Sequence, residues 1–135
     1  MNSSVSSRVE AGPAEVAERA AEAVRSLNHL TLVPLVPGTV GWEHVGDLYR
    51  VMTEVRTLVD RLPQALDQIA GHLGRSVEAY EADAATDLGP DAVVASAAAA
   101  LEAARCCVDE AGRYLAVAQG AVSHLYEPDS ADRGL

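Results

Sequence analysis

The sequence predicts an all-α protein: a long antiparallel helical hairpin with a shorter N-terminal helix, forming a three-helix bundle-like protomer. Three observations predict this. Two segments, one beginning near Trp42 and one at Pro90, carry apolar residues in an unbroken 3-4 alternation. Pro34, Pro37, Gly38 and Gly41, and then Gly89 and Pro90, break the chain between the periodic segments. The composition, 49% hydrophobic and 22% charged in 135 residues, is that of one globular domain rather than a disordered chain.

The first helix starts at Gly12-Pro13-Ala14-Glu15, with proline in the first turn and an acid beside it. It runs to about Leu30. Val16, Ala20, Ala23, Val24, Leu27 and Leu30 form its apolar face, and Glu15, Glu18, Arg19, Glu22 and Arg25 its wet side. Thr31 to Gly41 contains Pro34, Pro37 and Gly38 and so cannot be helical. Its Leu32, Val33, Leu35, Val36 and Val40 predict a segment lying against the end of the bundle; a short edge strand is the alternative. Trp42 is expected to staple this loop. The order Gly41-Trp42-Glu43-His44 does not match the Trp-x-Gly turn of small secreted helical hairpins.

The second helix is expected from about Trp42 to Leu73 or beyond, about 48 Å at 1.5 Å per residue. Val45, Val59, Leu66 and Leu73 hold heptad position a, with Met52, and Leu48, Val55, Leu62 and Ile69 hold d. Val51, Leu58 and Ala65 at g widen the stripe beyond the seam of a two-stranded coiled coil, which calls for three or more helices. Pro63 interrupts a backbone hydrogen bond but not the register, so a kinked continuous helix is expected. Tyr80 keeps the register and would extend the helix past Gly74.

Gly89-Pro90 marks a stop and restart. In the third helix Val94, Leu101, Val108, Leu115 and Val122 alternate with Ala97, Ala104, Ala111, Ala118 and Leu125, so one seam position is nearly always alanine and the helix axes can approach closely. Arg105, Asp109 and Arg113 read as a charge ladder on the exposed side. The helix should end at Glu127-Pro128. Residues 1–12 and 127–135 are expected to be disordered tails around a single domain spanning 13–126.

A net charge of −10 disfavours binding to nucleic-acid phosphates or anionic membranes. Every basic residue is Arg and Phe is absent, which fits codon bias in a GC-rich genome. The two cysteines, Cys106 and Cys107, are adjacent, rarely a pairing geometry, and fit a reducing compartment. The N-terminus lacks the apolar stretch of a signal peptide, and no apolar run reaches a bilayer's width, so a cytoplasmic location is expected.

No catalytic constellation is legible. There is no phosphate-cradling glycine loop and no Gly-x-Ser-x-Gly elbow. His29, His44, His72 and His124 show neither His-x-x-x-His nor Glu-x-x-His spacing, so no catalytic, cofactor or metal residues are assigned and no cofactor is expected. Glu78, Glu81, Asp83, Asp87 and Asp91 form an acidic stretch around the second break without interleaved Arg.

Val59-Asp-Arg-Leu-Pro-Gln-Ala-Leu66, with Leu27-Asn28, the Pro-Gly loop and the Gly89-Pro90 restart before an Ala-rich helix, resembles a family of uncharacterised small helical proteins from Streptomyces and related actinobacteria, some associated with conjugative or integrative elements. The likeness spans residues 20–126. It implies a cytoplasmic actinobacterial protein with an accessory or regulatory role, and supplies no site residues.

These readings lead to a non-enzymatic protein–protein interaction or assembly module, a homodimer with a further protein partner, acting through helical faces. The rival readings are a small-molecule-sensing bundle with an apolar pocket near Pro63 and an acidic nucleic-acid mimic. The first helix covers only half of the hairpin groove by length. The expected interface is therefore the other half: Leu66, Ile69, Leu73, Val77 and Tyr80 opposite Val94, Ala97, Ala98 and Leu101.

Overall fold

The computed structural model describes residues 10–128. They form three α-helices, α1 (Pro13–Leu30), α2 (Val45–Arg75) and α3 (Pro90–Val122), and a 3-10 turn at Val77–Ala79, with no strand among the described residues. The all-α expectation holds. The residues assigned to tails at 1–9 and 129–135 lie outside the described part. The chain divides after Glu43 into two compact units.

In the N-terminal unit, α1 has the bounds the sequence predicts. Pro13 opens it behind an extended Gly12, and Glu15 lies in its first turn. At the other end both the backbone N–H and the hydroxyl of Thr31 donate to the Leu27 carbonyl, at 2.9 and 2.8 Å, closing the last turn. The following loop is tied around Trp42. Its indole N–H donates to the Val33 carbonyl at 2.7 Å, and its own carbonyl accepts from Val36. Gly38 and Gly41 sit at φ +89° and +75°, conformations that a side chain disfavours. The Gly38 N–H donates to Glu43. Trp42 is thus a staple within the loop rather than the first residue of α2, and no strand forms. Leu32 and Val40 remain exposed.

The C-terminal unit is the hairpin. α2 starts at Val45, three residues later than expected, because His44 is extended and the Asp47 carboxylate accepts its N–H at 3.2 Å, one arm of a capping box. The helix passes Pro63 without a break, as the unbroken register predicts. It stops at Arg75 rather than continuing to Tyr80. Gly71 and Gly74 weaken its last turn, Ser76 caps it by donating to the His72 carbonyl, and Tyr80 closes the 3-10 turn onto Val77. The reversal is then held by short side chains: Asp83 accepts the Ala85 N–H at 3.0 Å, and Thr86 the Leu88 N–H at 3.1 Å. Gly89 and Pro90 open α3 as predicted. α3 ends at Val122, before the expected Tyr126, with Ser123 donating to the Gly120 carbonyl.

Glu127, assigned by sequence to a tail, folds back to the start of α2. Its carboxylate accepts the Val45 N–H at 3.1 Å and meets His44 Nδ1 at 3.0 Å. It thereby satisfies a backbone donor that the first turn of the helix leaves open.

Candidate functional site

The hairpin is antiparallel, and its contacts show which side of each helix faces the other. Gln119 of α3 bridges two residues of α2: its Oε1 accepts from Arg56 at 2.8 Å and its Nε2 donates to Thr53 at 2.7 Å. One heptad earlier, Gly112 lies so close to α2 that a Cβ there would fall 2.8 Å from Asp60 Oδ1. One heptad earlier again, the Arg105 guanidinium reaches Asp67 of α2 at 3.2 Å while also bonding Glu102 and Asp109 on its own helix. Ala98, Arg105, Gly112 and Gln119 share heptad position e. That track, not the alanine track at d, faces α2.

This corrects the sequence reading in two ways. Arg105 makes the expected i,i+4 pair with Asp109, but on the side of α3 that faces α2, where its guanidinium also reaches Asp67 and ties the helices together. Ala104 and Ala111, expected in the seam, are exposed. The reason is polar. Arg105 and Gln119 find carboxylate, hydroxyl and guanidinium partners on α2, and glycine between them lets the backbones approach. Those pairings rotate α3 away from the position that apolar spacing alone would choose. The Arg105 hydrogen bond to Glu102 holds that carboxyl below its ordinary range and raises the guanidinium further above its own.

α2 shows the same offset. The residues that meet α3 (Thr53, Arg56, Asp60, Asp67) occupy b and e, on one edge of the apolar stripe. The opposite edge stays open: Leu58 and Leu62 are each 39% exposed and Ile69 is 50% exposed. No apolar side chain is fully buried among the described residues, and Gly112 and Gln119 are the buried positions. On each helix the open edge is reached by turning in the same sense, towards d and g, when viewed from that helix's own N-terminus. In an antiparallel pair, the same sense on both helices brings both edges to one face of the hairpin. That face carries Leu58, Leu62 and Ile69 beside Ala104, Ala111 and the exposed Tyr114, and none of its d and g positions bears Asp, Glu or Arg.

The interface expected from sequence falls partly on this face. Ile69 and Ala97 are at d, and Leu66, Leu73, Val94 and Leu101 are half-buried at a. Ala98 lies on the track that faces α2. Val77 and Tyr80, expected on an extended α2, instead form the turn that joins the helices. The open face extends further towards Leu58 than the sequence reading placed it.

The other candidate groups are not brought together. Cys106 and Cys107 are free and exposed. Glu78, Glu81, Asp83, Asp87 and Asp91 are all exposed. Among the described residues no cluster of three or more His, Cys, Asp or Glu side chains is arranged to hold a metal ion. An open cleft of about 220 Å³ lies where α2 starts and α3 ends, lined by Val45, Gly46, Tyr49, Val122, Ser123 and Leu125, well away from Pro63. No described helix is long and apolar enough to cross a membrane.

No protein-family model, curated protein or solved structure matches this chain.

Proposed function

We propose that this protein is a non-enzymatic interaction and assembly module that works by presenting the open d/g face of the α2–α3 hairpin to another helical surface. One observation carries the reading. The face is long, apolar and uncharged in a chain of net charge −10, and the hairpin's polar contacts hold it outward instead of folding it into the seam. A contiguous apolar face of that kind marks a surface built to be covered. The adjacent Cys106 and Cys107, rarely a pairing geometry, are consistent with the reducing, cytoplasmic setting expected from the sequence.

Affinity capture with the intact chain tests this, comparing the wild-type sequence with Leu62→Glu/Ile69→Glu. The wild type is expected to retain a macromolecular partner, a second copy included, that the double variant loses while its helical circular dichroism persists. Equal capture by both chains would overturn the reading, as would no association by the wild type.

A further inference from the structure

We propose that the open face is covered by a second copy of this chain, related by a two-fold axis parallel to the hairpin, so that α2 of each copy lies on α3 of the other. The proposal rests on the reading of this face as an interaction surface and adds what occupies it and in which arrangement.

The first argument is register. Thr53 meets Gln119, Asp60 lies against Gly112 and Asp67 pairs with Arg105. These pairs step by one heptad in opposite directions along the two helices. Carried to the open edge, the same register sets Val55, Leu62 and Ile69 level with Ala118, Ala111 and Ala104. Each larger residue thus stands at the height of an alanine. A two-fold axis along the hairpin preserves height, so it places each larger side chain over the partner's alanine: Leu62 over the partner's Ala111, and Ile69 over the partner's Ala104. Large-on-small pairing along the d track is the alternation that lets helix layers interdigitate; on the g track Leu58 is level with Tyr114, so that layer sets two large side chains together. An axis perpendicular to the hairpin would instead set α2 on α2 and α3 on α3, large on large and small on small. The d track is complementary to itself in one of the two arrangements.

The second argument is area. α2 has 31 residues, about 46 Å of helix at 1.5 Å per residue, and two helices side by side are about 18 Å wide. The footprint is therefore about 800 Å² per copy, the size that a stable two-fold interface requires of each partner. The third is charge. Two molecules of net charge −10 repel, and the d/g face is where they can meet without setting acid against acid. The four-helix bundle that results gives the wide a, d and g stripe of α2 a second helix to pack on.

Pulsed electron spin resonance on the full chain tests the arrangement. Nitroxides are placed one at a time at Glu54, Arg61 and Gln68, which are exposed and spaced by heptads along the outer edge of α2. The background is Cys106→Ser/Cys107→Ser, with its mass in solution checked against the parent. A two-fold axis parallel to the hairpin predicts the same distance between copies at all three sites, within a few ångströms. A perpendicular axis changes the axial offset by about 21 Å from one site to the next, and distances that diverge in that way would overturn the proposed pairing. No distance between copies at any site would overturn the second copy as occupant. The capture experiment above then tells whether a different protein covers the face, so failure of this proposal and failure of the interaction reading give different results.

Discussion

Gln119 of α3 and Arg56 of α2 meet at 2.8 Å inside the hairpin, and Gln119 is 9% exposed while no large apolar side chain is buried among the described residues. A polar residue at the centre of a helical seam contributes little net stability and much register, because every displaced register leaves it unpaired. Gln119→Ala should lower stability by about 1–2 kcal/mol, the worth of two side-chain hydrogen bonds. Gln119→Leu should stay within about 1 kcal/mol of the parent, since it replaces the amide by apolar volume. Urea unfolding of both variants checks the contrast; an equal and large loss would mean that the two Gln119 hydrogen bonds themselves carry net stability, not register alone.

Gly112 faces the α2 side chains with no free space for a Cβ. Its missing Cβ would sit 2.8 Å from Asp60 Oδ1 and 3.9 Å from the Val59 side chain. The Asp60 carboxylate is 52% exposed and free to rotate away, at the expense of its 3.5 Å bridge to Arg56. Gly112→Ala should therefore be neutral, or stabilising by up to about 1 kcal/mol through helix propensity. Gly112→Leu must force the helices apart and should be destabilising by about 1–3 kcal/mol. Thermal melts should place Gly112→Ala at or above the parent and Gly112→Leu below it.

Pro63 lies in a helix that continues unbroken on both sides. Alanine there restores a hydrogen bond to the Val59 carbonyl and keeps the same face. Pro63→Ala should raise stability by about 1–3 kcal/mol. Loss of folding in that variant would show that the bundle needs the shape proline imposes.

Glu102 is held below the ordinary carboxyl value of 4.5, chiefly by its hydrogen bond to Arg105. A depressed folded-state value contributes stability above the unfolded value and loses it as pH falls through the folded one. The melting temperature should therefore drop as the pH is lowered from about 6 to about 3, and Arg105→Gln should flatten that drop. An unchanged acid slope in Arg105→Gln would remove Arg105 from the account.

Much of the fold is legible in the sequence. Pro13 and the Gly89-Pro90 pair placed two helix starts where they fall, and the apolar register carried α2 correctly through Pro63. Helix ends set by capping were less legible. His44 with Asp47, Ser76 and Ser123 stop or start helices by bonds that apolar periodicity does not encode. The rotation of α3 was hidden for a related reason. The a/d pattern of α3 is satisfied equally by a seam on either edge, and the choice is made by Thr53, Arg56 and Asp67, which lie across the reversal and 38 to 66 residues from their partners. The e track itself was visible, with Arg105, Gly112 and Gln119 at exact heptad spacing. What marks it as inward is the presence of α2 carboxylates and hydroxyls at matching heptad steps. Glu127 was read as tail because nothing local predicts that its carboxylate returns to Val45.

The most direct test of the open face as an association surface is mass in solution. Light scattering across micromolar concentrations is predicted to give about twice the chain mass of 14.1 kDa for the wild type. Leu62→Glu/Ile69→Glu is predicted to give the single-chain mass with α-helical circular dichroism retained. A wild type that stays at 14.1 kDa throughout, or a double variant that remains a dimer while folded, would contradict the account.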